Sequence, residues 1–287
     1  MTPPSISPRF GSSNLPSARQ GDRSSEERLL RAVTGRSSSM FEDAYSATRK
    51  SLAALAGDGS ILVAGAAGSI GSAVVELLHE VPSASLTLAD ANENGLTDLI
   101  RSLHASGRSR RDIEVRPVLL DITAPWLRYP CETLGNVATV MNFAAVKHVR
   151  SERDVPSLLR MFSVNVQGTM LLMAQLARRR KEGRFFTVSS DKAADPTSLM
   201  GASKRLMELA AFSQEVDTVR VSTCRFANVA YSAGSLLESW LQRIDRRQAL
   251  GCPAGIRRFF ISPREAAQLC VISLIHGENQ ILSLIHI

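Results

Sequence analysis

A chain of 287 residues with 44% hydrophobic content can bury a full core, and its length suits one large domain or two ordinary ones. The formal charge is +7, but the basic residues lie in scattered groups (Arg108, Arg110 and Arg111; Arg178 to Lys181; Arg243, Arg246 and Arg247) and aromatics make up only 5%, which argues against nucleic acid and is compatible with an anionic small molecule. Cys131, Cys224, Cys252 and Cys270 form no CxxC pair and no metal-ligand spacing with the histidines, so neither a metal site nor a disulfide framework is expected, and a reduced, cytoplasmic protein fits best.

Residues 1–39 are rich in Ser, Pro, Arg and Gly without apolar periodicity, and a disordered tail is expected there. A transit peptide is the alternative, opposed by Asp22, Glu26 and Glu27; no signal-peptide core and no run long enough to span a bilayer is present, so no membrane association is expected. Residues 40–57 carry Phe41, Ala44, Ala47 and Leu52 at helical spacing and predict a short helix, punctuated by Gly57 and Gly59.

The apolar run Ile61 to Ala64 then opens directly into Gly65-Ala66-Ala67-Gly68-Ser69-Ile70-Gly71 and a helical pattern to Leu78. A strand, a glycine turn and a helix in that order let backbone N–H groups approach a pyrophosphate at a helix N-terminus. The spacing is GxxGxxG rather than GxGxxG, and glycines also make plain turns, so the flanking elements carry the nucleotide reading. A second strand, Leu86 to Ala89, ends at Asp90, placed to accept from both ribose hydroxyls of an adenosine; it favours NAD and would repel the 2′-phosphate of NADP. The plain alternative for Asp90 is a strand-ending turn residue.

A third strand from Glu114 to Leu120 closes at Asp121-Ile122, with Asp121 set to meet the adenine edge. The fourth, Val137 to Phe143, ends in Ala144-Ala145, small enough for a cofactor to lie on the backbone, and Lys147 and His148 follow on the loop. A lone histidine is more often a structural hydrogen-bonder than a catalyst. Arg160 to Arg178 reads as a long helix carrying Asn165, apolar on more than one face and so expected to be covered by a neighbour or a second subunit. The fifth strand, Phe185 to Val188, delivers Ser189, Ser190, Asp191 and Lys192 at its carboxyl end, where α/β sheets hold ligands. Met200 and Lys204 follow one helical turn apart, on one face. Thr218 to Phe226 reads as a sixth strand, and the remainder keeps no strand-helix rhythm. The expected fold is α/β: a Rossmann-type doubly wound parallel sheet over 58–226, with a partial substrate-binding region at 227–287.

The motifs GAAGSIG, AAVKHV, NVQGT, SSDKAADP with MGASKR, RFANV and RRFFISPREA resemble those of the extended short-chain dehydrogenase/reductases, and more narrowly the CapD-type polysaccharide-biosynthesis branch, the UDP-N-acetylglucosamine 4,6-dehydratases. The resemblance covers Ile61 to about Glu278. In that branch methionine replaces the tyrosine four residues before the lysine, as at Met200 and Lys204; the one departure is Ser190, where the branch has threonine. The resemblance implies a bound NAD, a UDP-sugar substrate and a homo-oligomer formed through the Arg160 and Met200 helices. It also implies that Asp191, positioned through Ser190, does the proton work Met200 cannot, that Lys192 joins it in the elimination, and that Lys204 holds the nicotinamide ribose. Lys147, His148, Asn228 and Arg258 would contact the nucleotide-sugar. A nucleotide-sugar 4-epimerase, or a non-catalytic nucleotide-binding relative, remain the alternatives. Ile281 to Ile287 looks foreign to the branch, since Ser283-Leu284-Ile285-His286 repeats Ser273-Leu274-Ile275-His276, and a C-terminally truncated chain with an incomplete sugar pocket is the expectation.

Overall fold

The computed structural model describes residues 23–283 except 83, 106–112, 130–135, 148–151, 180–181, 214–218, 253–254, 256–257 and 278. Strands β1 (Ser60–Ala64), β2 (Ser85–Asp90), β3 (Glu114–Leu119), β4 (Val137–Asn142), β5 (Gly183–Val188), β6 (Val219–Arg225) and β9 (Gln280–Ser283) form one sheet in the order β3-β2-β1-β4-β5-β6-β9. Every pairing in it is parallel. Parallel strands need crossovers, and the crossover helices cover both faces, which is why the central strands read as unbroken apolar runs. Alternate residues serve opposite cores: Ile61, Val63 and Phe186 pack into one, Leu62, Ala64 and Phe185 into the other. The strand order reverses between β1 and β4, and a crevice opens at the carboxyl ends there.

On the first face lie α2 (Glu42–Gly57), α3 (Ser69–Leu78), α4 (Glu93–Ala105) and α9 (Pro263–His276). On the second lie α6 (Thr169–Ala177) and α7 (Leu199–Phe212). The long helix expected from Arg160 is interrupted: α5 (Val155–Phe162) passes into a π-helical turn, Ser163–Gly168, before α6. That turn holds Asn165 fully buried, its Oδ1 accepting from Val146 N at 2.9 Å and its Nδ2 donating to Val146 O and to Ser203 Oγ. A π-turn widens the backbone so that one side chain is aimed across the helix interface, and here it ties β4's exit loop to α7.

Two expectations are corrected. The tail expected to be disordered over 1–39 contains helix α1 (Arg23–Thr34), while residues 1–22 lie outside the described residues. Composition misjudged the segment because its partner is distant: Arg36 forms a forked ion pair with Glu265, both bonds at 2.7 Å. The region 227–287 is also not a single substrate-binding unit. Only β7 (Asn228–Val229), α8 (Leu236–Asp245) and β8 (Phe260–Ile261) stand off the sheet, whereas α9 packs into the first core and β9 adds a strand beside β6. Gln280–Ser283 runs parallel to β6, in register from Ser222 with Gln280 to Arg225 with Ser283, and so covers the edge β6 would otherwise leave open. Between β6 and α9, the buried Cys224 and Cys270 are free thiols with their sulfurs 3.7 Å apart, and burial pushes Cys270 well above the ordinary thiol range.

Candidate active site

The glycine turn leaves β1 and enters α3. Gly65 has φ +75°, and a Cβ there would stand 2.5 Å from Ala144 N; a Cβ on Gly71 would collide with Gly65 O. Gly68 is the N-cap of α3, so the backbone donors from Ser69 onward are unpaired by the helix and face the crevice. Asp90 is tied to this turn: its Oδ2 accepts from Ala67 N and its Oδ1 from Asn92 N, each at 2.9 Å. The turn and the carboxylate of β2 therefore form one rigid unit.

A cleft of about 490 Å³ opens beside it. One wall is built by Gly68, Ser69, Ile70, Gly71 and Ala145, the floor by Ser190, Asp191, Lys192, Met200 and Lys204, and the far wall by Lys147, Asn228 and Arg258. Gly65, Asp90, Asp121, Ile122 and Ala144 do not line it. Asp121 is instead paired with Arg160 at 2.7 Å and bonded to Thr123; burial would raise its pKa, but those partners outweigh it and hold the carboxyl below the ordinary range. Ile122 is buried against Gly168, and His148 and Arg257 lie outside the described residues.

At the carboxyl end of β5, Ser190 caps a single 3₁₀ turn, Asp191–Ala193. Ser190 Oγ donates to Asp191 Oδ1 at 2.8 Å and Lys192 N donates to the same oxygen at 2.9 Å. Both of these bonds fall on Oδ1, Oδ2 takes none among the described residues, and Asp191 lines the cleft. The turn is seated on α7 through Gly201, where a Cβ would lie 2.6 Å from Lys192 O. Met200 is buried on the cleft floor, its N donating to Glu152 Oε1 at 2.9 Å. Lys204 is buried too, and its Nζ donates to Val188 O at 2.9 Å. Burial lowers its pKa from 10.5 to about 8, with the nearby Glu208 opposing the shift. Lys147 is likewise lowered by desolvation, against the attraction of Glu238.

Sequence reasoning missed the support beneath this floor. Glu208 is buried and accepts from Ser189 Oγ at 2.6 Å, from Arg225 Nε at 2.7 Å and again from Arg225 Nη2. It binds the end of β5, the end of β6 and α7 into one hydrogen-bonded unit. The available signal was its place one helical turn after Lys204, on the same face. Among the described residues no cluster of His, Cys, Asp or Glu could hold a metal, and no helix is long and apolar enough to cross a membrane.

A doubly wound parallel sheet, a glycine turn under a helix N-terminus and a buried lysine at the end of the fifth strand define an extended short-chain dehydrogenase/reductase. The chain belongs to the polysaccharide biosynthesis protein family, which matches residues 61–285. That match runs through the C-terminal segment whose sequence looked foreign to the family.

Among similar proteins, the capsular polysaccharide biosynthesis protein CapD of Staphylococcus aureus is 28% identical over 223 residues, covering 73% of this chain and 35% of CapD. The uncharacterized membrane protein MJ1061 of Methanocaldococcus jannaschii is 30% identical over 222 residues, 74% of this chain and 62% of that one. A UDP-glucose 4-epimerase of Rickettsia canadensis is 25% identical, over 77% of this chain and 64% of its own. The chain thus spans about a third of CapD and less than two thirds of the other two. Pen from Bacillus thuringiensis shares the fold with TM-score 0.65 at 22% identity, over 76% of this chain and 65% of Pen. WbmF from Bordetella bronchiseptica, solved with NAD+ and UDP, does so with TM-score 0.62 at 14% identity, over 80% of this chain and 73% of WbmF.

Proposed function

We propose that this chain carries the catalytic unit of an NAD-dependent nucleotide-sugar 4,6-dehydratase of the UDP-N-acetylglucosamine type, a cytoplasmic lyase serving surface-glycan synthesis. The observation that carries the reading is the floor of the cleft: Asp191 and Lys192 adjoin the buried Lys204, and at the position where an ordinary dehydrogenase places tyrosine stands Met200, which has no proton to exchange. Acid/base work must then come from Asp191 and Lys192.

The residues present fit a dinucleotide. Gly65 and Gly71 leave room for backbone only, the α3 N-terminus offers unpaired donors, and Asp90 stands behind the turn as a ribose acceptor that disfavours a 2′-phosphate. When bound, the nicotinamide would take a hydride from C4 of the sugar and return it at C6. The Lys204 ammonium, anchored on Val188 O, orients the ribose and keeps the field at Asp191 positive. Asp191, held by Ser190 and with no hydrogen bond on Oδ2 among the described residues, takes the proton of the C4 hydroxyl. In the elimination C5–H and C6–O break as C5=C6 forms: the proton Asp191 gained leaves with the C6 hydroxyl as water, and the Asp191–Lys192 pair takes up the C5 proton in exchange, so the site holds the same number of protons before and after. Lys147, Asn228 and Arg258, which line the cleft, would hold the uridine diphosphate, with His148, adjacent in sequence to Lys147, proposed beside them; an arginine fork suits a diphosphate. Exposed Val155 and Leu159 of α5 and Leu199, Leu206 and Leu209 of α7 support pairing with a second copy, measurable by light scattering.

A second reading, a nucleotide-sugar 4-epimerase, is favoured by the relatives of that name and opposed by Met200. Incubating the protein with UDP-N-acetylglucosamine and NAD+ and following the sugar by NMR separates the two. A 4-keto-6-deoxy product is expected. Inversion at C4 would mean epimerase, and NAD+ binding without turnover would overturn both.

A further inference from the structure

The far wall of the cleft rests on very little backbone structure. β7 and β8 pair over two register positions, Asn228 with Phe260 and Val229 with Ile261, apart from the main sheet. A two-stranded ribbon of that length has no independent stability in water, so other contacts must hold it. Ile261 and Val229 are buried in the first core and provide part of the hold. The carbonyls of Phe259 and Ile261 face β7, accepting from Asn228 N and Ala230 N. The carbonyl of Phe260 points the other way, toward the open edge, where a third strand would ordinarily meet it.

Arg36 meets it instead. Its Nη2 donates to Phe260 O at 3.1 Å, while Nε and Nη2 fork onto Glu265 Oε1 and Oε2, each at 2.7 Å. Glu265 is the N3 residue of α9, fixed in a capping box with Ser262, and it also accepts from Met40 N at 3.2 Å. Its carboxylate is almost wholly buried, and the donors around it outweigh that burial and hold its pKa below the ordinary range. Around this centre, Ser39 Oγ donates to Gln268 and Arg264 pairs with Glu42. One guanidinium thus joins the strap at 34–42, the free edge of β8 and the start of α9. Phe260 and, two residues earlier, Arg258 line the cleft, as does Asn228 on the paired strand.

We propose that Arg36, which lies outside the part of the chain that matches the family, is a positioning residue for the nucleoside-diphosphate half of the cleft: it acts as the missing neighbour of β8 and sets where Arg258 and Asn228 stand. The inference rests on the nucleotide-sugar reading for the identity of the ligand, but its geometry does not. Among the described residues the glycine turn and Asp90 share no hydrogen bond with the strap's polar centre, so the cofactor half is expected to feel its loss less than the nucleoside-diphosphate half.

Arg36→Lys is the first test, because an ammonium still neutralises Glu265 yet lacks the planar fork that spans Glu265 and Phe260 together. Calorimetry with UDP alone and with NAD+ alone, on wild type and variant, reads the two halves separately. We expect UDP binding to weaken about tenfold with NAD+ binding unchanged. Unchanged affinity for both ligands overturns the proposal, and so does parallel loss of both, which would make Arg36 a general fold contact. A second variant, Arg36→Gln, keeps a planar donor for Phe260 O without the charge; UDP binding nearer wild type than in Arg36→Lys supports the edge contact, and weaker binding than in Arg36→Lys overturns it. Wild type that takes NAD+ and refuses UDP sinks the nucleotide-sugar reading instead, whereas equal UDP affinity in wild type and Arg36→Lys sinks only the clamp.

Discussion

The two walls of the cleft are built by opposite means. The glycine-turn wall and the floor at the end of β5 grow out of strands of five and six residues whose side chains are nearly all buried, and the turn tolerates no added atom at Gly65 or Gly71. The opposite wall stands on strands of two residues and on α8, which buries none of its side chains, with Phe259 66% exposed beside it. Rigidity is therefore concentrated where bond-making requires sub-ångström placement, and the wall that selects the ligand is held by a few long-range polar contacts. The two halves meet where Ala233 N donates to Ser69 Oγ at 2.8 Å.

The sharpest way to break this division is at Asp191. Asp191→Asn keeps shape and both hydrogen bonds but not the base, so turnover should fall by about 10²–10⁴-fold with UDP and NAD+ affinities retained. Undiminished turnover in a single-turnover assay would remove Asp191 from the chemistry. Next in size is Gly71→Ala, whose methyl group must displace Gly65. An overpacking cost of about 1–3 kcal/mol, if it falls on the bound state, implies roughly five- to 150-fold weaker NAD+ binding, with UDP binding spared, by calorimetry.

A smaller effect concerns pH. Lys204 titrates near 8 in the folded chain and at 10.5 when free, so between those values the unfolded state binds more protons and folding stability gains as pH rises. Compared with Lys204→Met, whose side chain cannot titrate, wild type should gain melting temperature from pH 8 to 10. A constant difference across that range would contradict a depressed pKa. Smallest is Ser235→Ala, which removes the cap accepting from Glu238 N at the head of α8. A cost of about 1 kcal/mol should speed proteolysis within 236–245 and leave NAD+ binding untouched.

The sequence disclosed the first wall better than the second for the same physical reason. A strand buried on both faces must be apolar throughout, so β1, β2, β4 and β5 announce themselves, and Ser190 to Lys192 could be placed at a carboxyl end from local pattern alone. Lys204 was visible by helical spacing from Met200. What could not be read were pairings between distant positions. Arg36 meets Glu265 across 229 residues and Glu208 meets Arg225 across 17, and no periodicity records either meeting. α1 and β9 escaped because each depends on a surface offered by the rest of the chain. The π-turn at Asn165 leaves no mark in the helical periodicity, and only the demand for one aimed amide reveals it.

The buried sulfurs of Cys224 and Cys270 turn the seam between β6 and α9 into a built-in clock. Neither can react with a thiol reagent until α9 lifts from the sheet, whereas Cys252, on the surface, reacts at once. The lag between the fast and slow labelling phases therefore times the release of that helix, whose first turn is the one Arg36 grips.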